Sequence, residues 1–121
     1  MSFGTVRQLA VDVGDQLVVL ETSILSDFPL PSGTTFDAYI SRLEGRLAEL
    51  LSRTRPTWKR ELLALVQKEV SAAVERARAG DEDGSHRLFV DAEMHFRQYE
   101  RGEPPKVTFI AGPDGQLTKS E

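Results

Sequence analysis

The sequence predicts an all-α protein: a helical hairpin or bundle of three to four helices, followed by a short extended C-terminal tail. Three observations predict it. Apolar residues recur at spacings of three and four along several stretches, the period of one buried helix face. Clusters of proline and glycine separate those stretches, and neither residue continues a helix well. With 40% hydrophobic and 28% charged residues, the chain carries enough apolar surface to fold rather than stay disordered. Its 121 residues suit a single domain. We expect a helical domain over residues 1–102 and an extended or flexible tail over 103–121.

In the first segment Val6, Ala10, Val13, Leu17, Leu20 and Ile24 form a stripe at alternating spacings of four and three. That is a helix pattern. Val11, Val18 and Val19 are β-branched, and Asp12, Val13, Gly14 and Asp15 offer a hairpin turn leading to a strand from Gln16 to Thr22. The stripe runs unbroken through Gly14, where a hairpin would reset it, so a helix is expected. One interior glycine costs about 1 kcal/mol relative to alanine. Ser26 to Gly33, with Pro29 and Pro31, reads as a loop. Thr34 or Thr35 caps the next helix, Asp37 opposes its dipole, and Ile40, Leu43, Leu47 and Leu50 form its buried stripe, which Leu51 widens.

After Pro56 the apolar positions shift to Leu62, Leu63, Val66, Val70, Ala73 and Val74, while the earlier stripe would continue onto Glu61 and Lys68. This change of phase predicts a kink or short break, with Pro56 in the first turn of a third helix running to about Ala79. Gly80 to Gly84 reads as an acidic loop, and Ser85 as the cap of a fourth, shorter helix with Leu88, Ala92, Phe96 and Tyr99 on one side. Gly102, Pro104 and Pro105 end it. Lys106 to Ala111 then reads as a strand and Gly112 to Gly115 as a turn. A lone two-stranded piece is marginal in water, so the tail is expected to be flexible or docked on a partner. Apolar stripes on the first three helices leave too much surface for a lone three-helix unit, which predicts a homodimer closing a four-helix-type bundle.

Composition removes several function classes. A net charge of −4 argues against indiscriminate adhesion to nucleic acid or anionic lipid, so a polyanion has to meet a local patch. The absence of cysteine excludes thiol catalysis, disulfides and Cys-ligated zinc. No apolar run approaches the roughly 20 residues of a membrane span, and residues 1–4 show no secretory pattern, so a cytoplasmic protein without membrane insertion is expected. His86, Asp91, Glu93 and His95 lack the spacing of a zinc site, and Asp81, Asp83 and Ser85 lack the bidentate glutamate of a calcium loop. No phosphate loop or nucleophile elbow is present. We expect no enzyme activity, no metal and no cofactor.

The informative feature is the run from Leu51 to Arg60, where Arg53, Arg55, Lys59 and Arg60 stand together with no acid in an otherwise acidic chain. Arg53 and Arg55 complement the negative C-terminal end of the second helix, an effect of about 0.3–1 kcal/mol that needs no ligand. Lys59 and Arg60 do not fit that explanation. They fall in the first turn of the next helix, where positive charge is unfavourable and the free amides already favour an anion. Trp58 inside the run is a core anchor first and an aromatic platform beside phosphates second.

From Leu51 to Gln67 the order of a leucine, the alternating cations Arg53 and Arg55, Thr57, Arg60 and a Leu-rich end resembles the central basic helix of the small silencing-suppressor proteins of insect nodaviruses. The preceding amphipathic helix and proline-containing loop are similar too. The resemblance implies a dimeric four-helix bundle lying along A-form RNA, read by shape because the RNA major groove excludes side chains. It implies phosphate contacts from Arg53, Arg55 and Arg60, with Lys59 as a further candidate, and shielding of duplex RNA from a dicing nuclease in the host cytoplasm; Arg46, by its spacing, and Trp58, as a platform, complete the candidate RNA-binding residues. Pro56 and Trp58 depart from the family pattern. A kink at Pro56 would take Arg46, Arg53 and Arg60, spaced by seven, off one line. The competing expectation is a helical interaction module, a viral or phage inhibitor or adaptor, whose acidic surface engages a basic host protein.

Overall fold

The computed structural model describes residues 5–23, 25–102, 108–111 and 117–120. Four helices carry the chain: α1 (Val6–Thr22), α2 (Phe36–Arg53), α3 (Thr57–Arg78) and α4 (Glu82–Arg101). The first segment is therefore helix, as its stripe predicts. Thr5 caps α1 by accepting from the Gln8 amide, and Thr35 caps α2 by accepting from Ala38. A 3₁₀ turn at Leu25–Asp27 opens the α1–α2 connection, and Phe28 in that loop packs edge-on against Phe36 at 5.2 Å.

Each helix runs antiparallel to the next. Leu20 of α1 and Ser23 just past it, Phe36 of α2, Ala77 of α3 and Ser85 and Phe89 of α4 line one small cavity of about 30 Å³. At the other end, Thr54 just past α2 lies 3.4 Å from the Tyr99 hydroxyl of α4. The result is an up-down-up-down bundle in which α1 and α4 close the ring. The inward faces meet in one core built from Leu9, Val13, Leu17 and Leu20 of α1, Ile40, Leu43, Leu47 and Leu50 of α2, Leu63, Val66 and Val70 of α3, and Phe89, Ala92 and Phe96 of α4. One chain thus supplies all four helices, and the uncovered surface that motivated a dimer is filled by α4.

Several local expectations are corrected. Of the kink or short break expected at Pro56 the structure shows the break, in which the chain reverses over Thr54, Arg55 and Pro56, and Pro56 is the residue before α3, not within its first turn. Its missing N–H ends α2 without leaving a donor unsatisfied. Asp81, not Ser85, caps α4 by accepting from the Gly84 amide, so Glu82, Asp83 and Gly84 are helical instead of loop. The fourth helix is accordingly longer than α2. Gly80, at φ 86°, supplies the left-handed residue that ends α3. On α1 the buried track is Leu9, Val13, Gln16, Leu17 and Leu20, while Val6 is 40% exposed. Gly14 is buried where α1 crosses α4, and a Cβ there would lie 3.1 Å from the Arg97 guanidinium. That guanidinium is fixed by Glu93 and by Glu100 at 2.7 Å. Ile24 lies outside the described residues.

Beyond α4, β1 (Thr108–Ala111) and β2 (Leu117–Ser120) pair antiparallel, with Thr108 opposite Ser120 and Ala111 opposite Leu117. The predicted strand thus appears over Thr108 to Ala111; Lys106, Val107 and the turn expected at Gly112 to Gly115 lie outside the described residues.

Across the α3–α4 interface, His95 Nδ1 lies 3.0 Å from Glu69 Oε1. Burial pushes the Glu69 carboxyl above the usual glutamate range, Asp91 adds to the rise, and the hydrogen bond from His95 opposes it. An acid whose folded pKa is raised stabilises the fold while protonated and loses that contribution as pH rises through the folded value. Glu69→Gln keeps an acceptor for His95 and carries no charge. We expect thermal melts of wild type and variant to differ least in acid and to shift in the variant's favour as pH climbs towards neutrality. A wild type that gains on the variant over that range would mean that the His95 bond outweighs burial.

Candidate nucleic-acid interface

The basic run folds into the α2–α3 turn and occupies one end of the bundle, beside the start of α1 and the end of α4. Its backbone is held from beneath. The Thr54 hydroxyl is buried and donates to the Leu50 carbonyl at 2.6 Å. Trp58 is partly buried and packs on the core, as its anchor role predicts. Lys59 Nζ lies 5.7 Å from the Trp58 ring centroid and 5.4 Å from that of Tyr99. Contacts of this kind hold an ammonium near ring faces at about 0.5–1 kcal/mol without neutralising it.

The five candidate cations separate into two sets. Arg53 is turned back onto its own helix, with Nε 2.7 Å from Glu49 Oε2. Arg46 lies away from the turn and donates to Gln16 Oε1 at 2.6 Å, while Gln16 donates to the Tyr39 carbonyl at 3.3 Å. These bonds make Arg46 a bridge from α2 to the buried Gln16 of α1. By contrast Arg55 and Arg60 are exposed and make no ion pair with any described residue. Together with Lys59 they flank the start of α3. Among the four helices α3 alone lacks a side-chain cap, and no acid stands in its first turn. Exposed amides, the positive end of the dipole and three cations therefore coincide.

The reversal at Pro56 places Arg60 on a different helix from Arg46 and Arg53, so the three do not form a straight stripe. What the fold offers an anion is a compact tip. Tyr99, read from the sequence as a core residue only, is also part of this tip; its meeting with Lys59 depends on α4 returning to the α2–α3 turn, which no local pattern signals.

Four acids stand at the opposite end. Asp81 caps α4 and Glu82 and Asp83 stand in its first turn, with Asp37 in the first turn of α2. Arg76 pairs with Asp81 at 3.1 Å and Arg78 pairs with Asp37. Among the described residues no three His, Asp or Glu side chains could together hold a metal ion, and no described helix is long and apolar enough to cross a membrane.

Fold and surface together define a four-helix bundle whose α2–α3 turn carries Arg55, Lys59 and Arg60 without a carboxylate partner among the described residues. No protein-family model matches the chain, and comparison with curated proteins and with solved structures finds no match.

Proposed function

We propose that this protein is a non-enzymatic binder of duplex RNA, gripping the phosphate backbone with the basic tip at the α2–α3 turn and thereby shielding the duplex from silencing nucleases. The observation that carries this reading is the pair of exposed arginines, Arg55 and Arg60, that meet no carboxylate among the described residues while flanking the uncapped start of α3. The resemblance to nodavirus suppressors supports the ligand class. The mode of contact differs from that family's, because cations confined to one end touch a short stretch of backbone. Contacts confined to phosphates position without reading bases, so binding is indifferent to sequence.

The test is a mobility-shift titration of duplex RNA at several salt concentrations. Retardation is expected at low salt, with log affinity falling linearly against log salt because each phosphate contact releases counterions. Arg55→Ala with Arg60→Ala should weaken binding uniformly across sequences and flatten the slope by roughly two contacts. Arg53→Ala should change it far less, since Glu49 already occupies that guanidinium.

A second reading is favoured by the acidic end around Asp37, Asp81, Glu82 and Asp83: a helical interaction module that engages a basic protein. Absence of any shift at low salt would leave that reading in place of RNA binding.

A further inference from the structure

The α2–α3 face carries a groove near the acidic end, and the same chain carries what fits it. The groove encloses about 390 Å³. Its floor is apolar, from Ile40 and Val74, and its rim is acidic, from Asp37, Glu44 and Glu75. Among the described residues Arg78 is the one cation lining it, and Asp37 already holds that guanidinium. Glu44 and Glu75 make no ion pair with any described residue. At the far end of the same two helices lie Arg55, Lys59 and Arg60, cations without a carboxylate partner among the described residues.

We infer that the basic tip of one copy of this chain docks into the acidic groove of another. Glu44 and Glu75 in the groove and Arg55, Lys59 and Arg60 at the tip are opposite charges left without ion-pair partners among the described residues, which favours head-to-tail contact between copies. The contact is heterologous: the patch given differs from the patch received. Such a contact leaves a free tip and a free groove on every pair, so assembly continues instead of closing at a dimer. The attraction is between exposed charges, so its range follows the screening length. Head-to-tail assembly and RNA binding compete for Arg55 and Arg60, so duplex RNA would cap one end of each chain of copies.

This inference shares the tip cations with the RNA reading, but it is read without RNA and through the groove, so the two fail separately. The experiment is sedimentation velocity with light scattering on the full chain over a wide range of protein concentration. At an ionic strength of about 0.01 M, where the screening length is roughly 30 Å, the average mass should climb with concentration past that of a dimer. At about 1 M, where the length is roughly 3 Å, it should return to the monomer.

Charge reversal then identifies the surfaces. Glu44→Lys with Glu75→Lys should stay monomeric alone, and Arg55→Glu with Arg60→Glu should stay monomeric alone, each with unchanged helical circular dichroism. Mixed in equal amounts, they should associate again, because each tip meets a groove of opposite sign. A wild type that is monomeric at every concentration at low salt overturns the inference. So does association that survives either reversal, or a mixture of folded variants that stays monomeric.

Discussion

Phe96→Ala is expected to remove about 3–5 kcal/mol of stability, the range for truncating a buried aromatic side chain. Phe96 is 0% exposed and packs against Tyr99 with ring centroids 5.4 Å apart. Losing the ring removes apolar contact and leaves a cavity that the closed ring of helices resists collapsing into. Domains of this size hold roughly 5–15 kcal/mol in total, so one such change takes a large share. Urea denaturation followed by circular dichroism gives the value. A loss below about 1 kcal/mol, the scale of an ordinary substitution, would mean that the residue does not sit in a close-packed core.

The second large effect comes from adding volume rather than removing it. Ala92 is 0% exposed, as is Ala73 on α3, and α3 and α4 make the most extensive helix–helix contact in the bundle. Ala92→Leu adds carbons where there is no space to receive them, and we expect a loss of about 1–3 kcal/mol from shifted helices and strained side chains. Two positions further along, Met94 is 60% exposed, and Met94→Ala should change stability by no more than about 0.5 kcal/mol. The same denaturation measurement compares them. Equal effects at the two sites would contradict the assigned orientation of α4.

How far the sequence reaches depends on whether a feature is local. The α2 stripe of Ile40, Leu43, Leu47 and Leu50 is buried in full, and so are Leu62, Leu63, Val66, Val70, Ala73 and Val74 of α3, because a strong helical period needs no knowledge of the partner. On α1 the stripe is displaced: Val6 belongs to it by spacing, yet Leu9 and Gln16 take the inward positions, since the direction of burial is fixed by α2 and α4 and not by α1 itself. The cap of α4 was open to misreading because Asp81 and Ser85 are both good capping residues four positions apart, and the choice moves two acids, Glu82 and Asp83, from loop to helix. Phe89 takes the inward position next to Leu88, which is only partly buried, because spacings of three and four to Ala92 both fit a helical stripe.

The basic run was visible as composition; its division into free and occupied cations was not. Glu49 precedes Arg53 by four residues, a helix pairing that the sequence does contain. The bond from Arg46 to Gln16 joins residues thirty apart, and the approach of Lys59 to Tyr99 spans two helices. Both depend on tertiary packing. The phase change at Pro56 was equally legible, but a kink and a full reversal give the same sequence signal, and only the packing of α3 back along α2 decides between them.

The antiparallel order of the four helices brings the start of α1 and the end of α4 to the same end of the molecule as Arg55 and Arg60. A bulky label attached at the start of α1 or at the end of α4 would therefore stand beside the surface it is meant to report on, and a negatively charged one would compete for it. The connection around Pro31 and Ser32 sits at the other end, separated by the length of α2, about 27 Å for its 18 residues. A label placed there would leave the arginines unshaded.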